Sequence, residues 1–235
     1  MKVQLPEPLF SGKLLLRYKR FLADVALTSG EVITAHCPNP GSMTGLAEPG
    51  NEVLLSRSDN PKRKLRYTWE LVKIGTIWVG VNTLNANRVV KEALQLHRIS
   101  ELAEFDVVKP EAVWGNSRFD FFLKKENACC YMEVKNVTLA TGELALFPDA
   151  KTERGTKHLR ELMKVAGSGM RAVILFLVHR EDCTKFASAA DIDPVFAETL
   201  SAACKQGVEV LIYRTKIDPP LVALDVRLPF DGSKL

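Results

Sequence analysis

Short runs of apolar residues, parted by turn formers, occupy the first third of the chain. Residues 13–24, 32–36, 52–56, 68–74 and 77–82 read as strands, with aliphatic and aromatic side chains interleaved with polar ones. Ser29-Gly30, Pro38-Asn39-Pro40-Gly41, Pro49-Gly50, Asn60-Pro61 and Gly75-Thr76 separate them. Strands this few and this short cannot build a deep two-sheet sandwich. A small closed or nearly closed barrel buries their apolar faces instead, and an OB-like barrel is one such solution.

From Asn85 the period changes. Residues 86–96 predict a helix with Val89, Val90, Ala93, Leu94 and Leu96 on its apolar stripe. A strand near 112–114 follows, then two β-like runs, 118–124 and 131–137. In 152–166, Leu159, Leu162, Met163 and Ala166 recur at helical spacing, and Gly167 ends the pattern. Residues 171–179 predict a buried strand, 194–205 a second amphipathic helix and 208–213 a last apolar strand. This order predicts an α/β domain whose mixed central sheet is covered on both faces. The expected division is an OB-like barrel over 1–84 and an α/β domain over 85–235, α+β in class taken together.

The 235 residues are 46% hydrophobic and 26% charged, with a formal net charge of +4. This is a globular composition whose mild basicity suits an anionic partner. The five cysteines show no metal-ligand spacing, which predicts reduced thiols in a cytoplasmic protein. The N-terminus does not resemble a signal peptide. The apolar run 172–178 is too short to span a bilayer, so no membrane partner is expected. The oligomeric state is left open.

Two basic clusters lie in the barrel segment. Arg17-Tyr18-Lys19-Arg20-Phe21 alternates cations with aromatics, and residues 57–66 set Arg57, Lys62, Arg63, Lys64 and Arg66 around one acid, Asp59. Phosphates attract such cations, and aromatic faces stack exposed bases. Each cluster also reads as an ordinary solvated surface. Arg154, Lys157 and His158 near a helix start offer further bases, beside free N–H groups that attract anions. Residues 36–45 combine two prolines and two glycines with Asn39, Ser42 and Thr44. They read either as a binding loop or as a rigid connection.

The sharpest chemical signal is Asp120 in the run 118–124 with Glu133-Val134-Lys135 in the run 131–137. A hairpin centred on Glu126-Asn127 pairs positions that sum to 253 and sets Asp120 opposite Glu133, their Cβ atoms about 5 Å apart. Two such carboxylates repel unless a cation sits between them. Mg²⁺ takes oxygen ligands from one or two carboxylates while keeping waters, and Mn²⁺ suits similar ligands. Lys135, two residues beyond Glu133, projects from the same face. Such a group suits phosphodiester hydrolysis, with a metal-activated water and an ammonium that steadies developing charge. Glu92, on the preceding helix, is a further candidate ligand. The plain alternative is a solvated hairpin with ordinary surface charges, although charges that interrupt apolar faces are usually paired or functional.

Several stretches in order along the chain resemble the bacterial and archaeal sugar fermentation stimulation protein A family. They are Arg17-Tyr18-Lys19-Arg20-Phe21-Leu22-Ala23-Asp24, His36-Cys37-Pro38-Asn39, Ser58-Asp59-Asn60-Pro61-Lys62-Arg63-Lys64, and Val81-Asn82-Thr83 with Ala86-Asn87-Arg88. Further along come Glu133-Val134-Lys135-Asn136-Val137-Thr138-Leu139 and Phe147-Pro148-Asp149-Ala150, then Thr152-Glu153-Arg154-Gly155 and Lys157-His158-Leu159-Arg160-Glu161-Leu162. The resemblance implies an N-terminal OB-like domain and a C-terminal domain similar to the PD-(D/E)xK nucleases. The motif's aspartate, glutamate and lysine then match Asp120, Glu133 and Lys135, with Phe119 where the motif carries proline. It further implies DNA binding without strong sequence preference and a link to control of maltose and related sugar metabolism.

Three functions stand open. The first is a Mg²⁺- or Mn²⁺-dependent DNA nuclease gripping its substrate with the barrel. The second is a non-catalytic DNA-binding regulator of sugar genes. The third is a module that binds a small anionic metabolite.

Overall fold

The computed structural model describes residues 2–115 and 117–230. Met1, Asn116 and 231–235, which the two expected domains include, lie outside the described residues. After a two-residue strand β1 (Val3–Gln4) come β2 (Leu9–Tyr18), β3 (Leu22–Leu27), β4 (Val32–His36), β5 (Glu52–Arg57), β6 (Tyr67–Ile74) and β7 (Ile77–Gly80). The strands pair in the order β4-β3-β2-β5-β6, and a parallel contact of β4 with β6 closes them into a five-stranded barrel of OB topology. Alternation explains its core: Ala23, Val25 and Leu27 of β3 point inward to meet Leu14, Leu55 and Trp69. Bulges in the β2–β3 and β5–β6 ladders supply the bending that a small barrel needs.

Residues 13–24 are not one strand. Lys19 and Arg20, with φ of 49° and 63°, turn the chain back into a hairpin between β2 and β3. Left-handed backbone at two long side chains is uncommon, and no Gly, Pro or Asn marks the place.

The second unit follows as α1 (Leu84–Gln95), a 3₁₀ turn at Ser100–Leu102, β8 (Asp106–Trp114), β9 (Ser117–Lys125), β10 (Ala128–Val137), β11 (Leu139–Thr141) and β12 (Leu144–Phe147). Then come α2 (Glu153–Gly167), β13 (Arg171–Val178), β14 (Lys185–Ser188), α3 (Pro194–Lys205), β15 (Val208–Asp218) and β16 (Leu221–Arg227). The main sheet runs β1-β16-β15-β13-β10-β9-β8, parallel across β10, β13 and β15 and antiparallel at its flanks. Helix α1 covers one face, where Val89, Val90 and Leu94 join Met132, Val134 and Leu175. Helices α2 and α3 cover the other, where Leu159, Leu162, Phe196 and Leu200 join Ile174 and Phe176. This is the mixed α/β domain that the periodicity predicts. Among the described residues no helix is long and apolar enough to cross a membrane. All five cysteines are free thiols.

Several strands escape the periodicity. β8 is much longer than the three residues expected, because Asp106, Lys109, Pro110 and Glu111 hide its pattern. It lies at the sheet edge, where proline costs no ladder bond. β11, β12 and β14 form a separate three-stranded sheet. The strand expected over 208–213 is not the last: β15 runs to Asp218 and β16 follows it, and β1 pairs with β16, so the first residues of the chain join the second sheet rather than the barrel.

The segment between the two units is polar and held by a hydrogen-bond network. Buried Glu70 on β6 accepts from Ser56 Oγ at 2.7 Å, Asn82 Nδ2 at 2.9 Å and Asn85 Nδ2 at 2.8 Å. Thr83 Oγ1 donates to the Pro38 carbonyl at 2.9 Å, and Arg88 donates to Asn85 Oδ1 and to the Gln4 carbonyl, both at 2.9 Å. At Gly80 a Cβ would stand 2.2 Å from the His179 ring, so only glycine lets the two units approach there.

Candidate active site

The β9–β10 ladder has the expected register, from Lys125↔Ala128 to Phe121↔Met132. The next pair in that register is Asp120 and Glu133, and there the ladder stops. The Asp120 carboxylate takes over the hydrogen bonding. Its Oδ2 accepts from Val134 N–H at 2.7 Å, and its Oδ1 accepts from Asn87 Nδ2 of α1 at 2.7 Å. The two acids are therefore not simple cross-strand neighbours. Alternation along β9 breaks at the same place: Phe119 packs in the cluster under α2, Phe121 in the cluster under α1.

Glu133 is only 4% exposed. Its Oε1 accepts from Lys135 Nζ at 2.7 Å and is bonded by His158 Nδ1 from α2. Its Oε2 is buried and has no hydrogen-bond partner among the described residues. A buried carboxylate oxygen left this way is costly unless something else satisfies it. Burial, then the negative charge of Glu133, push Asp120 up to about 6, against the pull of Val134 N–H, Asn87 and Lys135. Burial also pushes Glu133 up, but the His158 hydrogen bond and the Lys135 charge outweigh it and hold Glu133 below the usual range. Of the two acids, Glu133 is the one that ionises first.

Asp120 and Glu133 both line a cleft of about 590 Å³ between the barrel and the sheet. Asn39, Pro40 and Gly41 form its barrel wall, and residues 146–154 its far side. The wall is held from both ends. Arg17 donates to the carbonyls of Asn39 at 2.9 Å, Gly41 at 2.8 Å and Ser42 at 3.1 Å, and to that of Arg20 at 3.1 Å. Across the cleft, Ser42 Oγ donates to the Asp149 carbonyl at 2.6 Å and Met43 N–H to Asp149 Oδ2 at 3.1 Å. A Cβ on Gly41 would stand 2.3 Å from that carboxylate. Loop 36–45 is thus a structural wall of the site.

The remaining predicted residues divide. Arg17 corrects the expectation of a phosphate contact, since its donors serve backbone carbonyls of the loop. His158 is buried and belongs to Glu133 rather than to an exposed basic face. Glu92 lies on α1 but is not among the residues that line the cleft. Lys19 and Arg20 sit at the hairpin tip, with Arg20 on the cleft, and Arg154 lines it from the start of α2. Lys62, Arg63, Lys64 and Arg66 lie on loop 58–66 at the surface, and Lys157 is exposed on α2. Asn87 and Asp149 were not foreseen. Each acts through a partner more than thirty positions away, and local sequence carries no sign of it.

Among the described residues no three His, Cys, Asp or Glu side chains converge as a metal cage. Asp120 and Glu133 are the residues that fit a divalent cation. Mg²⁺ needs only one or two carboxylates beside its waters, and Glu133 Oε2 has no other partner among the described residues.

Two family models match the chain: the SfsA N-terminal OB domain over residues 15–81 and the sugar fermentation stimulation protein RE domain over 84–220. A sugar fermentation stimulation protein homolog of Geobacter sulfurreducens is 52% identical over 226 residues, covering 96% of this chain and 97% of that protein. The homolog of Geotalea uraniireducens is 53% identical over 218 residues, covering 92% and 94%. The solved structure of Pyrococcus furiosus SfsA in complex with Ca²⁺ matches at a TM-score of 0.91 and 25% identity, covering 98% of this chain and 99% of that one. With both of its units matched in order and relatives half identical over nearly its full length, the chain belongs to the sugar fermentation stimulation protein family.

Proposed function

We propose that this protein binds DNA through its barrel and hydrolyses phosphodiester bonds in the cleft, with Mg²⁺ or Mn²⁺ held by Asp120 and Glu133. One observation carries the reading: the buried Oε2 of Glu133, without a hydrogen-bond partner among the described residues, on a residue that lines the same cleft as Asp120. The Pyrococcus furiosus relative was solved in complex with Ca²⁺, which supports a cation in this fold. A bound divalent ion supplies Lewis-acid polarisation of a phosphoryl oxygen and a more acidic water.

The chain's own groups do the rest. Asn87 and Val134 N–H aim the Asp120 carboxylate. His158 holds Glu133 by Oε1, and Oε2 keeps its lone pairs for a cation. Lys135 lies against Glu133 Oε1 and turns to the scissile phosphate when one enters, where its charge stabilises the transition state. Arg20 and Arg154 on the cleft rim attract the neighbouring phosphates.

A second reading, DNA binding without cleavage, draws on the same Lys135–Glu133 ion pair, in which the ammonium balances the glutamate's charge. The test is incubation of the pure protein with supercoiled, linear and single-stranded DNA in Mg²⁺, Mn²⁺ and EDTA. Metal-dependent cleavage that falls by about 10²–10³ in Asp120→Asn and Lys135→Ala, with DNA binding retained, establishes the first reading. Binding with no cleavage under any condition leaves the second. No DNA binding at all removes both.

A further inference from the structure

The two basic clusters of the barrel are distant in sequence yet meet at one end of it. Leu22, His36 and Thr68 lie side by side on β3, β4 and β6, a lateral span of about 10 Å. Phe21 immediately precedes Leu22, and its carbonyl accepts from Cys37 N–H at 2.8 Å. Arg63, from the other cluster, donates to Thr68 Oγ1 at 3.0 Å. It also lies near enough to His36 for its charge to add to burial in lowering that histidine's basicity. The loops that meet here are β2–β3 and β5–β6, the first–second and fourth–fifth connections of the barrel. In OB barrels these two connections flank the oligonucleotide-binding face.

Phe21, the last residue of the first cluster, has 45% of its surface exposed. An exposed aromatic ring among cations is the combination that grips unpaired bases and their backbone together. Arg20, next to it, lines the cleft of Asp120 and Glu133. The cleft, at about 590 Å³, is of the size that encloses a drug-sized molecule. Its barrel wall is pinned to Asp149 and to Arg17, so the opening is set by hydrogen bonds on both sides. A duplex presents two backbones and stacked, paired bases, with no base face free for Phe21 and no single strand to pass the wall.

We infer that the DNA this protein takes is single-stranded, with its phosphates running from loop 58–66 over the hairpin tip into the cleft and a base stacked on Phe21. The inference rests on the DNA reading above. It adds the strandedness of the substrate and a residue that recognises bases without reading sequence.

The experiment is fluorescence anisotropy in EDTA, so that no cleavage intervenes. The probes are a labelled oligodeoxythymidylate of about 16 nucleotides, the upper site size of one OB fold, and a hairpin-capped duplex of equal length. The single strand is expected to bind at least about tenfold more tightly. Phe21→Ala weakens single-strand binding by about 5- to 150-fold. Phe21→Trp restores it, and both variants keep the wild-type melting temperature and duplex affinity. Equal affinity for the two probes overturns the inference without any variant, and so does a Phe21→Ala protein that binds the single strand as wild type does. Failure of cleavage does not touch this result, since the measurement is made without metal. An active nuclease that prefers closed duplex keeps the catalytic reading and sinks this one.

Discussion

On loop 58–66, Lys62, Arg63 and Lys64 stand exposed. In the cleft, Glu133 and His158 keep only 4% and 6% of their surface. In the sequence the first group follows a turn signal and the second interrupts apolar runs, but neither pattern shows what the charges meet. Water separates them. Exposed cations are screened within about 10 Å at ordinary salt and contribute little to stability, so they are free to serve an anionic ligand. The cleft charges are desolvated and held by one another. Glu133 is ionised because His158 and Lys135 face it, and Asp120 resists ionisation because it is buried and Glu133 already carries the charge. The loop works by number of charges, the cleft by their arrangement.

The largest effect that would break this contrast concerns Lys135. Its removal as Lys135→Ala is expected to lower metal-dependent cleavage by about 10²–10³, roughly 3–4 kcal/mol of barrier. A variant that cleaves at the wild-type rate would put Lys135 on the same footing as a loop lysine.

Glu70 gives the structural counterpart. Glu70→Ala strands the donors of Ser56, Asn82 and Asn85, and about 3 kcal/mol of stability should be lost. Denaturant melts would read this directly. A loss below about 1 kcal/mol would mean that water replaces the carboxylate and that the connection is not dry.

Asp120 sharpens the comparison through pH. Its folded value, about 6, lies above the ordinary aspartate value of 3.8. The folded state therefore binds the proton more tightly, and the stability this adds is present at low pH and lost as pH rises from about 4 to about 6. Its size is about 2–3 kcal/mol in metal-free protein. His179, pushed down to about 4 by burial, acts in the opposite sense, gaining stability as pH rises over an overlapping range. Comparing wild type with Asp120→Asn in EDTA cancels His179. The variant should gain on wild type between about pH 4 and 6 and run parallel above that. Parallel curves throughout would show that Asp120 is not perturbed.

The smallest effect on stability belongs to the loop. Replacing Lys62, Arg63 and Lys64 with alanine should change stability by less than about 0.5 kcal/mol. The same change should flatten the salt dependence of DNA binding by up to about 2.7 in log–log slope, about 0.9 for each phosphate no longer neutralised. An unchanged slope removes the loop from the interface.

Much of the fold was legible. Helix α3 covers the residues its periodicity marks, α2 is displaced by one, and the β9–β10 register follows from the Glu126-Asn127 centre. These are local patterns, set by residues within a turn or a hairpin of one another. Two exceptions had local causes, a left-handed turn at Lys19-Arg20 without a turn former and polar residues with a proline that disguise the edge strand β8; the pairings of β1 with β16 and of β12 with β14 join segments far apart in the chain.

By itself the sequence determined the periodicities, and with them a small barrel followed by a mixed sheet between helices, and the presence of Asp120, Glu133 and Lys135 on adjoining strands. Only the tertiary structure decided what these side chains meet. It assigned Arg17 to the loop carbonyls, His158 to Glu133, Asn87 to Asp120 and Asp149 to the barrel wall. The reason is physical. Periodicity depends on neighbours along the chain, whereas the desolvation and pairing of a charge depend on every element packed around it, and those elements come from both units of this protein.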